Sequence, residues 1–434
     1  MSSPTFPEIR IPHLSGTPMP DVMRVRVPLP QAEPVSDISR AVHSELAKSE
    51  QLATLKPGAR VALGVGSRGV ANIPELAKSV VDWLKHKGFE PFIIPTMGSH
   101  GGGTAAGQRG VLEHLGVTEE FVGAPIRPTM ETVEYGRTPE DIPCHFDANG
   151  AAADAVVVIA RVKSHTSFDR PIESGLTKMV AIGLGKQEGA RNVHRMGPRG
   201  YTDVLPAMAQ IAIAKSPLAY GIAVVENGDH QLAHIEGAAP EAFASTDERL
   251  LKIAKKLLGR LPFKRLDALT CEYVGKNISG AGMDYAVIGR TDIRGIPNPG
   301  HIFVAKIAVL GMTEETGGNG MGVGVADFIP KACADTLDLN AMYMNAITST
   351  YLEKAMVPIV LPTEKQVMEA LFATCWAEMP SQLRYAQIRS TMDVSEFLVS
   401  PTAFADIEGT PGIEVVEKAV GLQFDSQDRL TTRV

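Results

Sequence analysis

Short apolar runs alternate with amphipathic segments through the first half of the chain. The runs 60–65, 90–95 and 155–160 are almost wholly apolar, which is typical of strands that are buried on both faces of a parallel sheet. Residues 74–87 and 104–115 follow the first two runs and have helical spacing. In the first of these helices one face is apolar: Leu76, Val80, Val81 and Leu84.

Strands that alternate with helices predict an α/β fold with mostly parallel sheets. A predicted helix at 247–258 separates this region from a second α/β-like stretch. We therefore expect an N-terminal catalytic and cofactor-binding domain at 1–265 and a C-terminal α/β domain at 266–400. We expect the tail, 401–434, to pack on the first domain, and the active site to lie in the cleft between the two domains.

Composition and charge narrow the class of protein. A length of 434 residues is typical of two or three domains. The net charge of −7 and the lack of a clustered basic stretch argue against a nucleic-acid partner. No segment reaches the roughly 20 apolar residues of a membrane helix, and no signal peptide is visible. The four scattered cysteines form no C-x-x-C pair, which is typical of a reducing compartment, so we expect a cytoplasmic protein.

Polar and cationic residues follow the predicted strands. Ser67 and Arg68 come after the first strand, His100 after the second, and Lys163 and His165 after the third. Because ligands bind at the carboxyl ends of strands in such folds, we expect these side chains to meet at one edge of the sheet.

Three tempting motifs fail on their spacing. The segment 183–187 lacks the first glycine and the final hydroxyl of a phosphate loop. The glycines at 318–324 do not fit a dinucleotide-binding pattern, and we favour a turn or close backbone packing there. His230 and His234 are four residues apart, but the turn-forming residues before them favour a surface loop over a metal site.

The segment 161–194 is more suggestive. Lys178 precedes an apolar run, where an unpartnered charge is costly, and apolar surroundings lower the pKa of a lysine and make it nucleophilic. Taken singly, His165 reads as a loop histidine and His194 as a cation at a helix C-terminus. From the residues alone, a functional site and a set of ordinary charged residues stay equally open.

This segment resembles the nickel-pincer-nucleotide-dependent lactate racemase family. The resemblance rests on His100 after its Gly-Ser pair, on the run 161–165, and on Lys178 sixteen residues before His194. It extends more loosely over most of the chain, including residues 275–284. It implies a nickel-dependent isomerase that racemises or epimerises a 2-hydroxy acid.

The resemblance also implies roles for the cofactor residues. Lys178 would be tethered covalently to a pyridinium mononucleotide whose sulfur and carbon donors pincer nickel. His194 would supply the remaining nickel ligand, and a neutral imidazole suits a square-planar nickel(II) site. Arg68, with Ser67 beside it, would hold the cofactor phosphate or the substrate carboxylate. Cofactor-biosynthesis proteins would be required for maturation.

His100 and His165 would be the paired acid and base catalysts. Moving the α-hydrogen as hydride to a pyridinium carbon avoids a dianionic intermediate, and a base must then take the hydroxyl proton. The hydroxyl groups of the two enantiomers point in different directions, so two bases are required.

Departures from the family pattern bear on the substrate. The early strand lacks an acidic residue before Arg68, residues 279–281 are small, and the loop between His165 and Lys178 is longer. A larger acid, such as an aryl-lactate or a sugar acid, fits these changes as well as lactate does, and Lys276 is a candidate for binding its carboxylate. A pincer-dependent redox enzyme and a non-enzymatic protein that binds small anions or nucleotides are the alternatives. A homo-oligomer is compatible with the sequence.

Overall fold

The structure, a computed structural model, divides the chain into two compact units. One, the five-stranded unit, comprises residues 30–165 and 170–258, and the other, the eight-stranded unit, comprises residues 5–29 and 259–434. The parts of the chain that the structure describes are 5–67, 70–165, 170–377 and 379–434.

The strands account for two large sheets and one hairpin. In chain order they are β1 (Asp21–Arg26), β2 (Arg60–Val65), β3 (Glu90–Pro95), β4 (Thr132–Arg137), β5 (Pro143–Asp147), β6 (Ala155–Arg161), β7 (Leu218–Glu226), β8 (Leu232–Ala238), β9 (Arg265–Val274), β10 (Phe303–Met312), β11 (Phe328–Pro330), β12 (Ile359–Leu361), β13 (Tyr385–Ile388), β14 (Glu396–Val399) and β15 (Glu414–Gly421).

Helices connect most of the strands. They are α1 (Ile38–Leu46), α2 (Glu50–Ala53), α3 (Ile73–His86), α4 (Ala105–His114), α5 (Glu119–Val122), α6 (Ala148–Ala151), α7 (Leu176–Lys178), α8 (Lys186–His194), α9 (Leu205–Lys215), α10 (Phe243–Leu257), α11 (Tyr285–Ile288), α12 (Lys331–Ala334), α13 (Leu339–Ser349), α14 (Glu364–Ala373) and α15 (Pro401–Ala405). Two π-helical turns, Met179–Gly183 and Gly200–Val204, flank α8. Within the described residues, no helix combines the length and the apolar character that crossing a membrane requires.

The sheet of the five-stranded unit has the order β3-β2-β6-β7-β8. The first four strands run parallel, and β8 returns antiparallel to β7. The chain moves from β2 outward to β3 and then crosses to β6 on the other side of β2. The order of strands therefore reverses between β2 and β6, and in α/β sheets the crevice at such a reversal binds ligands.

The local predictions for this unit agree closely with the structure. The apolar runs form β2, β3 and β6. The predicted helical face of α3 is completely buried: Leu76, Val80, Val81 and Leu84. At the start of α4 the Thr104 hydroxyl accepts a hydrogen bond from the Gly107 amide at 3.0 Å, which caps the helix. The α/β class is thus confirmed.

The sheet of the eight-stranded unit has the order β12-β11-β10-β9-β13-β14-β1-β15. Its first five strands run parallel, and the remaining three alternate in direction. In this unit the large side chains of Tyr285 on α11 and Tyr385 on β13 are fully buried.

The tail differs from its predicted position on the N-terminal domain. Its strand β15 pairs with β1, so both ends of the chain belong to the eight-stranded sheet. Cross-strand ion pairs hold this arrangement, because Arg24 of β1 contacts Glu396 and Glu417, each at 3.2 Å. The first 29 residues also belong to this unit, contrary to the predicted domain at 1–265. Pairing between residues almost 400 positions apart leaves no local trace in the sequence.

Candidate functional site

Three neighbouring parallel strands of the five-stranded unit end at the same edge. Ser67 follows β2, His100 follows β3 and His165 follows β6. The reversal of strand order lies between β2 and β6, so the edge that carries these residues is the one at which ligands bind in such sheets. Arg68, which we expected beside Ser67, lies outside the described residues.

The segment after β3 presents His100 on a tightly turned loop. Gly101, Gly102 and Gly103 all have left-handed φ values, of 67°, 66° and 64°. A Cβ on Gly101 would lie 2.6 Å from the Gln108 amide nitrogen, so only glycine allows the loop to close on α4. The imidazole itself is exposed, and its Nδ1 is hydrogen bonded to the Ser67 hydroxyl.

Gln108 supports this loop from beneath. Its buried amide donates to the carbonyl oxygen atoms of Gly98, at 2.9 Å, and of His100, at 3.3 Å. The backbone of His100 is therefore held in place, while its side chain faces solvent. This arrangement fixes the position of the imidazole and leaves it accessible to a ligand.

A buried carboxylate holds the segment that carries His165. Glu173 accepts hydrogen bonds from the amides of His165, at 2.6 Å, and Arg170, at 2.8 Å, and it pairs with the Lys255 ammonium at 2.6 Å. Burial raises the pKa of Glu173, and the Lys255 ammonium and the two amides oppose that rise. Glu173 therefore ties both sides of the loop to α10.

Lys178 ends a short helix that begins against another buried carboxylate. Asp247 accepts hydrogen bonds from the amides of Leu176, at 2.9 Å, and Thr177, at 2.8 Å. Gly175 has a φ of 94°, and a Cβ there would overlap an Asp247 carboxylate oxygen. Burial raises the pKa of Asp247 to about 7, and the two amides limit the rise.

The helix that carries His194 begins at a fully buried ion pair. Lys186 and Asp147 lie 2.7 Å apart, and both side chains are 0% exposed. The Lys186 ammonium also donates to the carbonyl of Pro95, at the end of β3, and to Gln108 Oε1 at 3.3 Å. Burial lowers the pKa of Lys186 and raises that of Asp147, and their mutual attraction opposes both shifts. The pair joins the start of α8 to the loop of His100.

The ring of Tyr201 brings three of the predicted residues together. Its centroid lies 5.4 Å from the Lys178 ammonium, 5.6 Å from the His165 ring and 6.0 Å from the His194 ring. Burial, and secondly the charge of Lys178, lower the pKa of His194 to about 4. At neutral pH the His194 imidazole is therefore uncharged and has a lone pair to offer a metal.

Lys276 lies in the eight-stranded unit, on the loop after β9. Its ammonium donates to the carbonyl of Gly280 at 3.1 Å, and its amide donates to the Thr316 hydroxyl at 3.2 Å. The predicted role of Lys276 in binding a carboxylate stays a prediction.

Several residues that build the site were not singled out as functional in the sequence. Tyr201, Asp247 and Lys186 lie in different segments, and their partners are distant in the chain. A local signal lies in Gly185 and Gly200, which directly precede Lys186 and Tyr201, because a Cβ on either glycine would overlap a backbone carbonyl oxygen.

The residues present fit a metal that is held mainly by a cofactor. Across the described parts of the chain no three histidine, cysteine or acidic side chains are grouped as a metal site. His194 offers one neutral imidazole as a possible metal ligand. Lys178 lies close enough to lower the pKa of His194 by its charge, and an amine in that place suits a covalent tether.

Among solved structures, the chain is similar to the lactate racemase apoprotein from Thermoanaerobacterium thermosaccharolyticum. The TM-score is 0.51 over 83% of this chain and 93% of that chain, with 12% sequence identity. A protein from Thermotoga maritima is also similar, with a TM-score of 0.47, 14% identity, and coverage of 63% of this chain and 69% of that chain. No protein-family model and no curated protein sequence matches the chain. At 12% identity, the likeness to lactate racemase establishes a shared fold.

The buried Asp247 carboxyl predicts a pH-dependent stability. Its pKa of about 7 in the folded protein exceeds the ordinary value of 3.8, so the folded state binds the proton more tightly than the unfolded state does. Stability contributed by this group is therefore lost as the pH rises from 4 to 7, by up to about 4 kcal/mol. The free energies of unfolding of wild type and Asp247→Asn, measured with denaturant, should diverge as the pH changes across this range. A difference that stays constant with pH would contradict the raised pKa of Asp247.

Breaking the buried ion pair should destabilise the protein more than removing both charges. Lys186→Met leaves the Asp147 carboxylate buried without its partner and should cost about 3–5 kcal/mol of unfolding free energy. In the double variant Lys186→Met/Asp147→Asn, the amide oxygen can still accept from the Gly150 amide, as the carboxylate does at 2.8 Å. Urea unfolding should then show at least half of the loss restored. An equal or greater loss in the double variant would argue against an energetically coupled pair.

Proposed function

We propose that this protein is a racemase or epimerase of a 2-hydroxy acid that depends on a nickel-pincer nucleotide. The observation that carries the proposal is the grouping of Lys178, His194 and His165 around one tyrosine ring. These are the residues to which the family resemblance gives the tether, the nickel ligand and one catalytic base. The shared fold with a lactate racemase supports the same reading.

Lys178 and His194 would hold the cofactor. When bound, the pincer nucleotide supplies an electrophilic centre that takes the α-hydrogen of the substrate as hydride and returns it. The neutral imidazole of His194 can donate its lone pair without first losing a proton, because its pKa is about 4. Lys178 provides the amine for the covalent bond, and its carrier helix α7 is anchored by Asp247.

His100 and His165 would exchange protons with the substrate hydroxyl. As the α-hydrogen departs with its electron pair, one histidine takes the hydroxyl proton and the carbonyl forms. The resulting 2-keto acid would be planar, so its other face could take the hydrogen back while the second histidine returns a proton to the oxygen atom. The product is the mirror-image or epimeric acid, and no external oxidant is used.

The surroundings of the two histidines suit these tasks. The Ser67 hydroxyl engages Nδ1 of His100, which orients the ring. Glu173 fixes the backbone of His165 by accepting a hydrogen bond from its amide. Two bases on separate strand ends can approach the substrate from different directions.

The substrate class is a 2-hydroxy acid, of which lactate, aryl-lactates and sugar acids are the candidates. The alternatives, a pincer-dependent redox enzyme and a protein that only binds small anions or nucleotides, are separated from the proposal by the experiments below. Accumulation of free 2-keto acid, in place of the inverted acid, would identify a redox enzyme.

Intact mass and nickel analysis test the cofactor assignment. The full chain is co-expressed with pincer-nucleotide biosynthesis proteins, and we expect about one nickel per chain and added mass on the peptide that contains Lys178. Lys178→Arg should lose the added mass, and His194→Ala should lose at least tenfold in nickel affinity. Lys276→Arg, in the other unit, should retain both. Wild-type protein with no nickel and an unmodified Lys178 would favour the anion-binding alternative.

Histidine variants of the loaded protein test the two-base assignment. His100→Ala and His165→Ala should each lower the rate of inversion by about 10²–10⁴-fold while nickel stays bound. The measurement is loss of optical activity over a panel of 2-hydroxy acids. His234→Ala is a matched control, because that histidine lies on β8 and pairs with Glu236 at 3.1 Å. A double variant of His100 and His165 that still inverts the substrate would overturn the assignment.

A further inference from the structure

The π-helical turn after α8 places one aromatic side chain at the centre of the site. Tyr201 is the second residue of the turn Gly200–Val204, and 9% of it is exposed. Only glycine at position 200 allows the turn to pack in this way, because a Cβ on Gly200 would overlap the carbonyl oxygen of Val193. The backbone of the turn therefore packs against the last turn of α8, directly beside His194. Local π-helical turns of this kind are frequent at functional sites.

The contacts of the Tyr201 ring differ in kind. The Lys178 ammonium lies over the ring at 5.4 Å from its centroid, within the range of a cation–π interaction. The imidazoles of His165 and His194 meet the ring at interplanar angles of 55° and 36°. Such tilted pairs at 5–6 Å are favourable and restrict the orientation of both rings.

The three side chains come from segments that are anchored separately. The His165 segment is tied to Glu173, α7 with Lys178 is tied to Asp247, and α8 begins at Lys186. Those anchors act on the backbone of each segment. The Tyr201 ring contacts all three side chains, so it can align them with one another.

We infer that Tyr201 is the positioning residue of the site, whose aromatic face holds the Lys178 side chain in place and aligns the His165 imidazole beside it. This inference rests on the proposed function for its catalytic meaning. The contacts of the Tyr201 ring are present in the chain without cofactor, so they can be tested separately from the proposed activity. The contacts from which the role is inferred are made by the aromatic ring.

Lysine labelling of the cofactor-free protein tests the inference. The full chain is treated with an acetylating N-hydroxysuccinimide ester at one fixed pH, and labelling of Lys178 is followed by peptide mass mapping. In Tyr201→Leu the ammonium loses its aromatic cover, and Lys178 should label about two- to fivefold faster than in wild type. In Tyr201→Phe, which keeps the ring, the labelling rate should match wild type. Lys276 in the same digests is the internal reference.

Two further variants separate positioning from folding. Tyr343→Leu removes an exposed tyrosine of the other unit and should leave the labelling of Lys178 unchanged. Tyr201→Met keeps a large side chain without a π face and replaces Tyr201→Leu if the latter does not fold, as judged by its thermal transition. Folded Tyr201→Leu or Tyr201→Met protein that labels like wild type overturns the inference, as does Tyr201→Phe that labels like Tyr201→Leu.

The loaded protein supplies the catalytic readout. Tyr201→Leu should lower kcat for inversion at least tenfold with less than a threefold change in KM, because misaligned groups slow the reaction more than they weaken binding. Equal changes in both constants would overturn the positioning role. If wild type takes up no nickel and inverts no 2-hydroxy acid, the proposed function fails, and the labelling experiment alone decides the role of Tyr201.

Discussion

The arrangement of the candidate site depends on one ammonium group that has no access to water. The Lys186 side chain reaches Asp147 at the end of β5, the last carbonyl of β3 and Gln108 of α4. Because an unpartnered charge at this depth is very costly, these elements cannot separate without breaking the pair. Lys186 also has a left-handed φ of 53°, which costs about 1–2 kcal/mol. The loop of His100 and the helix of His194 are thereby positioned jointly.

Buried carboxylates have a similar function elsewhere in the site. Glu173 and Asp247 each accept hydrogen bonds from two backbone amides of short segments. Segments of this kind, including a three-residue helix followed by a π-helical turn, would otherwise expose many unsatisfied groups. Burial of these ionisable groups lowers stability, and the groups hold the segments of His165 and Lys178 on irregular backbone. Sites that must place several groups exactly in relation to a ligand require such rigidity.

Much of the five-stranded unit could be predicted from the sequence, since the information is local there. Apolar runs correspond to β2, β3 and β6, and the spacing of α3 predicts its buried face. The strand ends predicted to carry Ser67, His100 and His165 lie on one edge for the same reason. Tyr201 and the pairing of β1 with β15 could not be predicted, because each depends on contacts between distant parts of the chain. The periodicity of apolar residues predicts the helices and strands, whereas the proposed roles of the side chains rest on the family resemblance.

The pairing of the two chain ends has a consequence for biosynthesis. The eight-stranded sheet needs β1, which is translated before the five-stranded unit, and β15, which is translated after it. A ribosome therefore releases every residue of the five-stranded unit before the last strands of the other sheet exist. The five-stranded unit can fold during synthesis, while β1 waits for partners almost 400 residues downstream. During translation the candidate site can thus assemble before the eight-stranded sheet is complete.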